Sequence, residues 1–285
     1  MKRTPFALLV LVVLPVAVTA SRGQDATTIR PAPQSQSDET IGTHQWTSAT
    51  TIGRIVADRP QTARIFELVE IDYCCGGDTS LGDAALKKQI SVDRLLAALS
   101  VVGVAPRDAE QHNWQLAGID ELMDHIVARH HTWLRRELPP LIETTRTVYR
   151  VHGQHHAELR QIVDIVEGLP AALLPHLVDE EQNIFPAVRA LAAGTSVQNI
   201  GHALESMRTD HDEVGAMLHQ LRTLTHDFAV PDDACAQYRG MLAGLEALER
   251  DLHIHVHLEN NVLLPRAMKL AESMNRRSDH GQAPR

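Results

Sequence analysis

Aromatic side chains make up only 4% of this 285-residue chain, and Ala, Leu and Val fill its apolar positions instead. That shortage argues against a β-sandwich, whose pleated core favours aromatic and β-branched residues, and for helices. Basic charge is also in deficit. With a formal net charge of −9 there is no broad positive face for a phosphate backbone, which excludes nucleic acid as a partner. Cysteine is rare: Cys74, Cys75 and Cys235 are an odd number. Neighbours such as the first two seldom bridge each other because the intervening peptide strains the geometry, so no disulfide framework is expected. The N-terminal apolar run is short as well. The stretch at residues 6–18 is broken by Pro15 and falls short of the ~20 residues a span needs. With Lys2 and Arg3 before it and Val18-Thr19-Ala20 after it, it reads as a secretory signal over residues 1–20. This predicts export to the periplasm and no stable membrane insertion after cleavage.

Histidine, by contrast, is abundant: seventeen residues, set in apolar helical segments rather than in a tag. The organisation around them is legible. Residues 21–47 are polar and contain Pro, Ser and Gln, the composition of a disordered tether. Residues 48–105 form a compact segment with a helix interrupted near Pro60, a turn at "DYCCGGDTSLGDA" and two short helices, the second capped by Ser91. A linker at 106–116 leads to residues 117–272, where apolar positions recur at i, i+3, i+4 and i+7. Four long helices are predicted there, over roughly 119–138, 156–191, 197–228 and 233–270, with a disordered tail at 273–285. Pro139 and Pro140 are expected to stop the first helix, and Pro170 and Pro175 to kink or divide the second. The fold class is all-α: a small N-terminal helical domain followed by an antiparallel four-helix bundle.

The stretch "DLHIHVHLENNVLLP" at 251–265 offers two rival pairs four residues apart, His253 with His257 and His255 with Glu259. An internal repeat chooses between them. In "HLVDEEQNIFP" at 176–186, His176 precedes Glu180 by four and Glu180 precedes Pro186 by six. His255, Glu259 and Pro265 repeat that frame; His253 and His257 do not. Upstream, His131 lies 45 residues before His176, and His211 lies 44 before His255. Residues four apart share one helical face, so each half offers one histidine and one His/Glu pair to a common centre. Four histidines and two carboxylates in a bundle core would be costly to bury without a cation. Mixed nitrogen and oxygen ligation suits iron or manganese, with zinc possible.

His253 and His257 are expected on the far side of the helix, solvated or behind the ligands. His130 and His125 are expected to play no part, and His152 is a candidate for a supporting or access role. His155, His156, His202, His219 and His226 read as exposed. Cys74 and Cys75, beside Gly76 and Gly77, are candidate thiols for binding a metal or accepting sulfur, and Cys235 is read as a packing residue.

Taken with "DYCCGG" (72–77), "DHIVARHHTWLRRELPPL" (124–141) and "DHDEVG" (210–215), the two half-sites make the chain resemble the di-iron iron–sulfur cluster repair proteins. Those proteins join a short Cys-Cys domain to a hemerythrin-like bundle. The resemblance spans residues 48 to 272 and implies iron ligands at His131, His176, Glu180, His211, His255 and Glu259. It implies two non-haem iron ions bridged by the two glutamates, iron–sulfur proteins as clients, and repair of clusters damaged by nitric oxide or oxidants. The alternatives are a sensor or scavenger of oxygen or nitric oxide, or a nitric oxide reductase. Members of that family are usually cytoplasmic, so the export signal sets this chain apart, as does Pro175 immediately before His176.

Overall fold

A computed structural model describes residues 46–102 and 112–281 of the chain. The expected signal, nearly all of the tether, residues 103–111 of the connecting region and the last four residues lie outside the described residues. The N-terminal part contains helices α1 (Ile52–Asp58), α2 (Ala63–Leu68), α3 (Leu81–Lys87) and α4 (Val92–Val101). A turn of 3-10 helix at Pro60–Thr62 separates α1 from α2, as the proline predicts, because Pro60 cannot donate an amide to a continuing α-helix. The Ser80 and Ser91 hydroxyls accept the amides of Asp83 and Arg94, capping α3 and α4. Ile52, Ile55, Phe66, Tyr73, Leu81 and Leu99 bury their side chains in a core of their own.

Four rods follow. The first is α5 (Ile119–His125) joined through a π-helical turn at Ile126–His131 to α6 (Thr132–His152). The second is α7 (Leu159–Asp179), a π turn at Glu180–Ile184 and α8 (Phe185–Ala192). The third is α9 (Ile200–Leu224), and the fourth is α10 (Ala236–Leu258), a π turn at Glu259–Leu263 and α11 (Leu264–Gly281). Short loops join rods that pack on one another, which gives the all-α bundle expected.

The prolines behave differently from expectation. Helix α6 continues through Pro139 and Pro140, and α7 is not divided at Pro170 or Pro175. Pro139, Pro140 and Pro175 are exposed, so the carbonyls they leave unpaired can face water. Leu134, Leu138, Leu141 and Val148 anchor the other face of α6 in the core, and that packing outweighs the lost amide bonds. The last helix also continues to Gly281, past residue 272, where the sequence reading ended the bundle.

Two apolar clusters fill the bundle, and they meet at a seam. On every rod the seam falls at a histidine or glutamate of the repeat. Leu122, Met123 and Ile126 lie on one side of His131, and Leu134 and Leu138 on the other. Leu173 and Leu177 are separated from Ile184 by Glu180; Met207 is separated from Val214 by His211; Leu252 and Leu258 flank His255.

Candidate metal centre

The six residues selected by the repeat converge at that seam. Their atoms fall into two sets of four, each with ligand atoms within 4.8 Å of one another: His131, His255, Glu180 and Glu259, and His176, His211, Glu180 and Glu259. Both glutamates belong to both sets. Glu180 points Oε1 at His176 Nε2 (3.1 Å) and Oε2 at His131 Nε2 (3.4 Å). Glu259 points Oε1 at His255 Nε2 (3.0 Å) and Oε2 at His211 Nε2 (3.2 Å). Each carboxylate thus gives one oxygen to each set, the disposition of a bridge between two cations.

Local backbone geometry contributes. His131 ends one π turn, and Glu180 and Glu259 each begin one. A π turn widens a helix by one residue and re-aims the side chains beside it, and such turns recur at functional sites.

The imidazoles are held from behind. His131 Nδ1 donates to Glu181 Oε1 (2.7 Å), His176 Nδ1 to Asp210 Oδ2 (3.1 Å) and His211 Nδ1 to Asn260 Oδ1 (2.9 Å). A neutral imidazole that donates from Nδ1 keeps a lone pair on Nε2, the atom that faces the centre. Those Nε2 atoms lie close together, 3.1 Å between His131 and His255 and 3.0 Å between His176 and His211. With both rings of a pair neutral and donating from Nδ1, opposed lone pairs at that separation would repel, and a proton or a metal ion between them relieves this. Both Glu180 oxygens and Glu259 Oε2 are buried without a hydrogen-bond donor, which is costly for a carboxylate. A cation in each set removes both penalties at once, so the donor set fits a metal.

Electrostatics agree. Burial alone would lower the pKa of His176, but the Glu180 and Glu259 carboxylates overcome it and raise it to about 9. Burial also opposes charge on His255 and on Glu259, yet each holds the other charged: the imidazole is pushed up, and the carboxyl well below its ordinary range. The cavity selects positive charge, and protons and metal ions compete for it.

The other histidines depart from expectation. His253 and His257 are not solvated: both rings pack edge-on against Tyr73, at 5.9 and 5.7 Å between centroids, and His257 is buried. His130 is buried with Nδ1 3.1 Å from Asp251, and its ring stacks parallel to that of His255 at 5.4 Å. His125 lies against Trp114 (4.1 Å). His156 pairs with Asp233 and Glu158 rather than standing free, while His155, His202, His219 and His226 are exposed as expected. His152 has no place behind the ligands. Its Nε2 lies 3.2 Å from Cys235 Sγ, at the far end of α6, roughly 30 Å of helix from His131. Cys235 is exposed, not packed, at the start of α10.

The cysteine segment docks on the bundle beside the centre. Asp72 accepts the amides of Cys74 and Cys75 at 3.0 Å each and the Cys74 thiol at 3.2 Å. Asn261 Nδ2 donates to the Tyr73 and Cys74 carbonyls at 3.1 Å each. Gly77 permits that approach, since a Cβ there would lie 2.1 Å from Asn261 Oδ1. The two sulfurs stand 3.7 Å apart as free thiols. Cys75, burial and Asp72 together push the Cys74 thiol well up. Glu181, Asp210, Asn260 and Asn261 were all missed by the sequence reading, although one signal was present. Glu181 and Asn260 occupy the same position of the repeat, directly after the glutamate shared by both sets, and each accepts from the upstream histidine of its own half.

Residues 122–267 match the family described as the hemerythrin HHE cation binding domain, and residues 48–102 match ScdA_N, described as a domain of unknown function. The chain is 34% identical over 217 residues to the iron–sulfur cluster repair protein YtfE of Enterobacter sp. (strain 638), covering 76% of this chain and 96% of that one. Proteins of the same name from Escherichia coli O1:K1 and Escherichia fergusonii are 33% identical over the same shares.

Proposed function

The chain belongs to the family of hemerythrin-like iron–sulfur cluster repair proteins, and we propose that it acts there as an iron donor, holding two iron ions and supplying iron to clusters damaged by oxidative or nitrosative stress. The observation that carries this reading is the sharing of Glu180 and Glu259 between two sets of histidines. Bound iron would supply an exchangeable divalent cation. The chain's own residues do the rest. Glu180 and Glu259 would span the two positions, their charges offsetting those of the cations. Glu181, Asp210 and Asn260 hold the imidazole lone pairs inward. Phe185, stacked 6.0 Å from the His131 ring, and Leu177 keep water from the walls. Clients would be iron–sulfur proteins of the compartment in which the chain resides, which the secretory pattern expected of residues 1–20 would make the periplasm.

The test is a metal assay followed by a repair assay on the full chain. Purified protein should carry about two irons, and Glu180→Ala or Glu259→Ala should abolish the dinuclear signal. Loaded protein should restore activity to a dehydratase whose cluster has lost iron, while chelator-stripped protein should not. Zinc alone, one metal per chain, or equal repair by stripped protein would overturn the reading.

A further inference from the structure

The two metal positions differ in what surrounds them, and the geometry points to an unequal division of labour. We infer that the position held by His176 and His211 is the exchangeable one, and that it releases its metal toward the Asp72–Cys74–Cys75 segment, with Asn260 as the positioning residue that links the two. This deepens the donor reading and rests on it.

Three observations carry the inference. First, Asn260 touches both partners. Its Oδ1 accepts from His211 Nδ1 (2.9 Å), and its Nδ2 reaches the Cys74 carbonyl (3.4 Å). A shift of the cysteine segment therefore acts on the orientation of a metal-facing imidazole. The Cys75 thiol also donates to the His211 backbone carbonyl (3.6 Å), and its sulfur lies against Gly215 of the same helix. Second, the other position is walled in. His131 and His255 are 0% and 2% exposed, with Phe185 stacked on one and His130 on the other. His176, at 8%, is the most exposed of the six, and its partner Asp210 is half exposed. Third, Asp72, Cys74 and Cys75 form a donor set of their own, with ligand atoms within 4.8 Å of one another. They open on a cavity of about 290 Å³ that Asp212 and His253 also line.

The transfer is a ligand exchange without change of oxidation state. The ferrous ion would leave the Nε2 atoms of His176 and His211 and the Glu180 and Glu259 oxygens that face them, and would bind the Asp72 carboxylate and the cysteine sulfurs. Each thiol that binds would pass its proton to one freed imidazole, and the two glutamates would remain carboxylates. Of the two thiols Cys75 leads, being half exposed and lying against α9, whereas Cys74 is buried.

Release kinetics test this without reference to repair. Full-length protein loaded anaerobically with two ferrous ions is mixed with a water-soluble ferrous chelator. Two phases of equal amplitude are expected, separated by about tenfold or more, the scale of effect that residues behind a ligand exert. Cys75→Ser slows the fast phase alone, because the receiving thiol is gone. Asn260→Leu accelerates the fast phase alone, because His211 is no longer held, whereas Asn260→Asp keeps an acceptor and does not. Should Asn260→Leu fail to load, Cys75→Ser and Asn260→Asp still decide. A single phase for both ions, an unchanged fast phase in Cys75→Ser, or equal effects of Asn260→Leu on both phases would overturn the inference. A chain that repairs clusters yet releases its iron in one phase leaves the donor function standing and removes only this step.

Discussion

His131 and His255 come from opposite halves of the internal repeat, yet their Nε2 atoms lie 3.1 Å apart. His176 and His211 are paired across the halves in the same way, at 3.0 Å. Neither half of the chain completes a donor set. Each set takes one histidine from each half, and the two glutamates are common to both, so a metal bound there would tie all four rods together.

Removing metal should therefore lower global stability rather than loosen one helix. Binding to the folded chain alone contributes about 2.7 kcal/mol when free metal is a hundredfold above its dissociation constant. For a unit of this size that is roughly 5–10 °C in Tm. Calorimetry of loaded and chelator-stripped protein should show a drop of that order. Equal Tm values would mean that the centre does not cross-link the rods.

Stability should depend on pH differently in the two forms. In the stripped chain the His176 imidazole has its pKa raised to about 9 by the two carboxylates, against an ordinary value of 6.5. A raised pKa stabilises the fold fully below pH 6.5, and the contribution is lost as pH rises through about 9. In the loaded chain the metal occupies that Nε2 and the dependence vanishes. The Tm gap between loaded and stripped protein should widen from pH 6.5 to 9; a gap that narrows over this range would contradict the assignment.

Asn261→Ala should loosen the cysteine segment. It removes one donor from each of the Tyr73 and Cys74 carbonyls, at 3.1 Å in the intact protein, and leaves them the second partners His257 and Asn260. Losing two hydrogen bonds, each contributing about 0.5–1.5 kcal/mol, costs about 1–3 kcal/mol. Urea denaturation should report a loss in that range, and Cys74, buried in the intact protein, should become reactive toward a thiol reagent.

The cysteines should label in order of exposure: Cys235 first, Cys75 next and Cys74 last. Cys235→Ser and His152→Ala should leave the metal content unchanged, since this pair sits at the far end of α6. Loss of iron in either variant would restore to His152 the supporting role that the structure assigns elsewhere.

Periodicity and turn chemistry were enough to find the rods and the short N-terminal helices. The prolines misled because proline penalties act locally, while the packing that holds α6 and α7 continuous is spread over many leucines in the core. The π turns left no readable trace, being one-residue shifts within a helical pattern. His253 and His257 do face away from the donor sets, but their burial, like that of His130, escaped the sequence for a related reason: burial on the second face of a helix depends on what packs there, and Tyr73 comes from a segment some 180 residues away.

The metal-facing residues were determined by the sequence itself, because a repeat of spacing on helices dictates which side chains share a face. How those residues combine was decided only in three dimensions. The pairing of His131 with His255 and of His176 with His211 depends on which rods lie side by side, and helical spacing carries no information about that. The same holds for Asn260, whose two hydrogen bonds reach a bundle histidine and the cysteine segment at once.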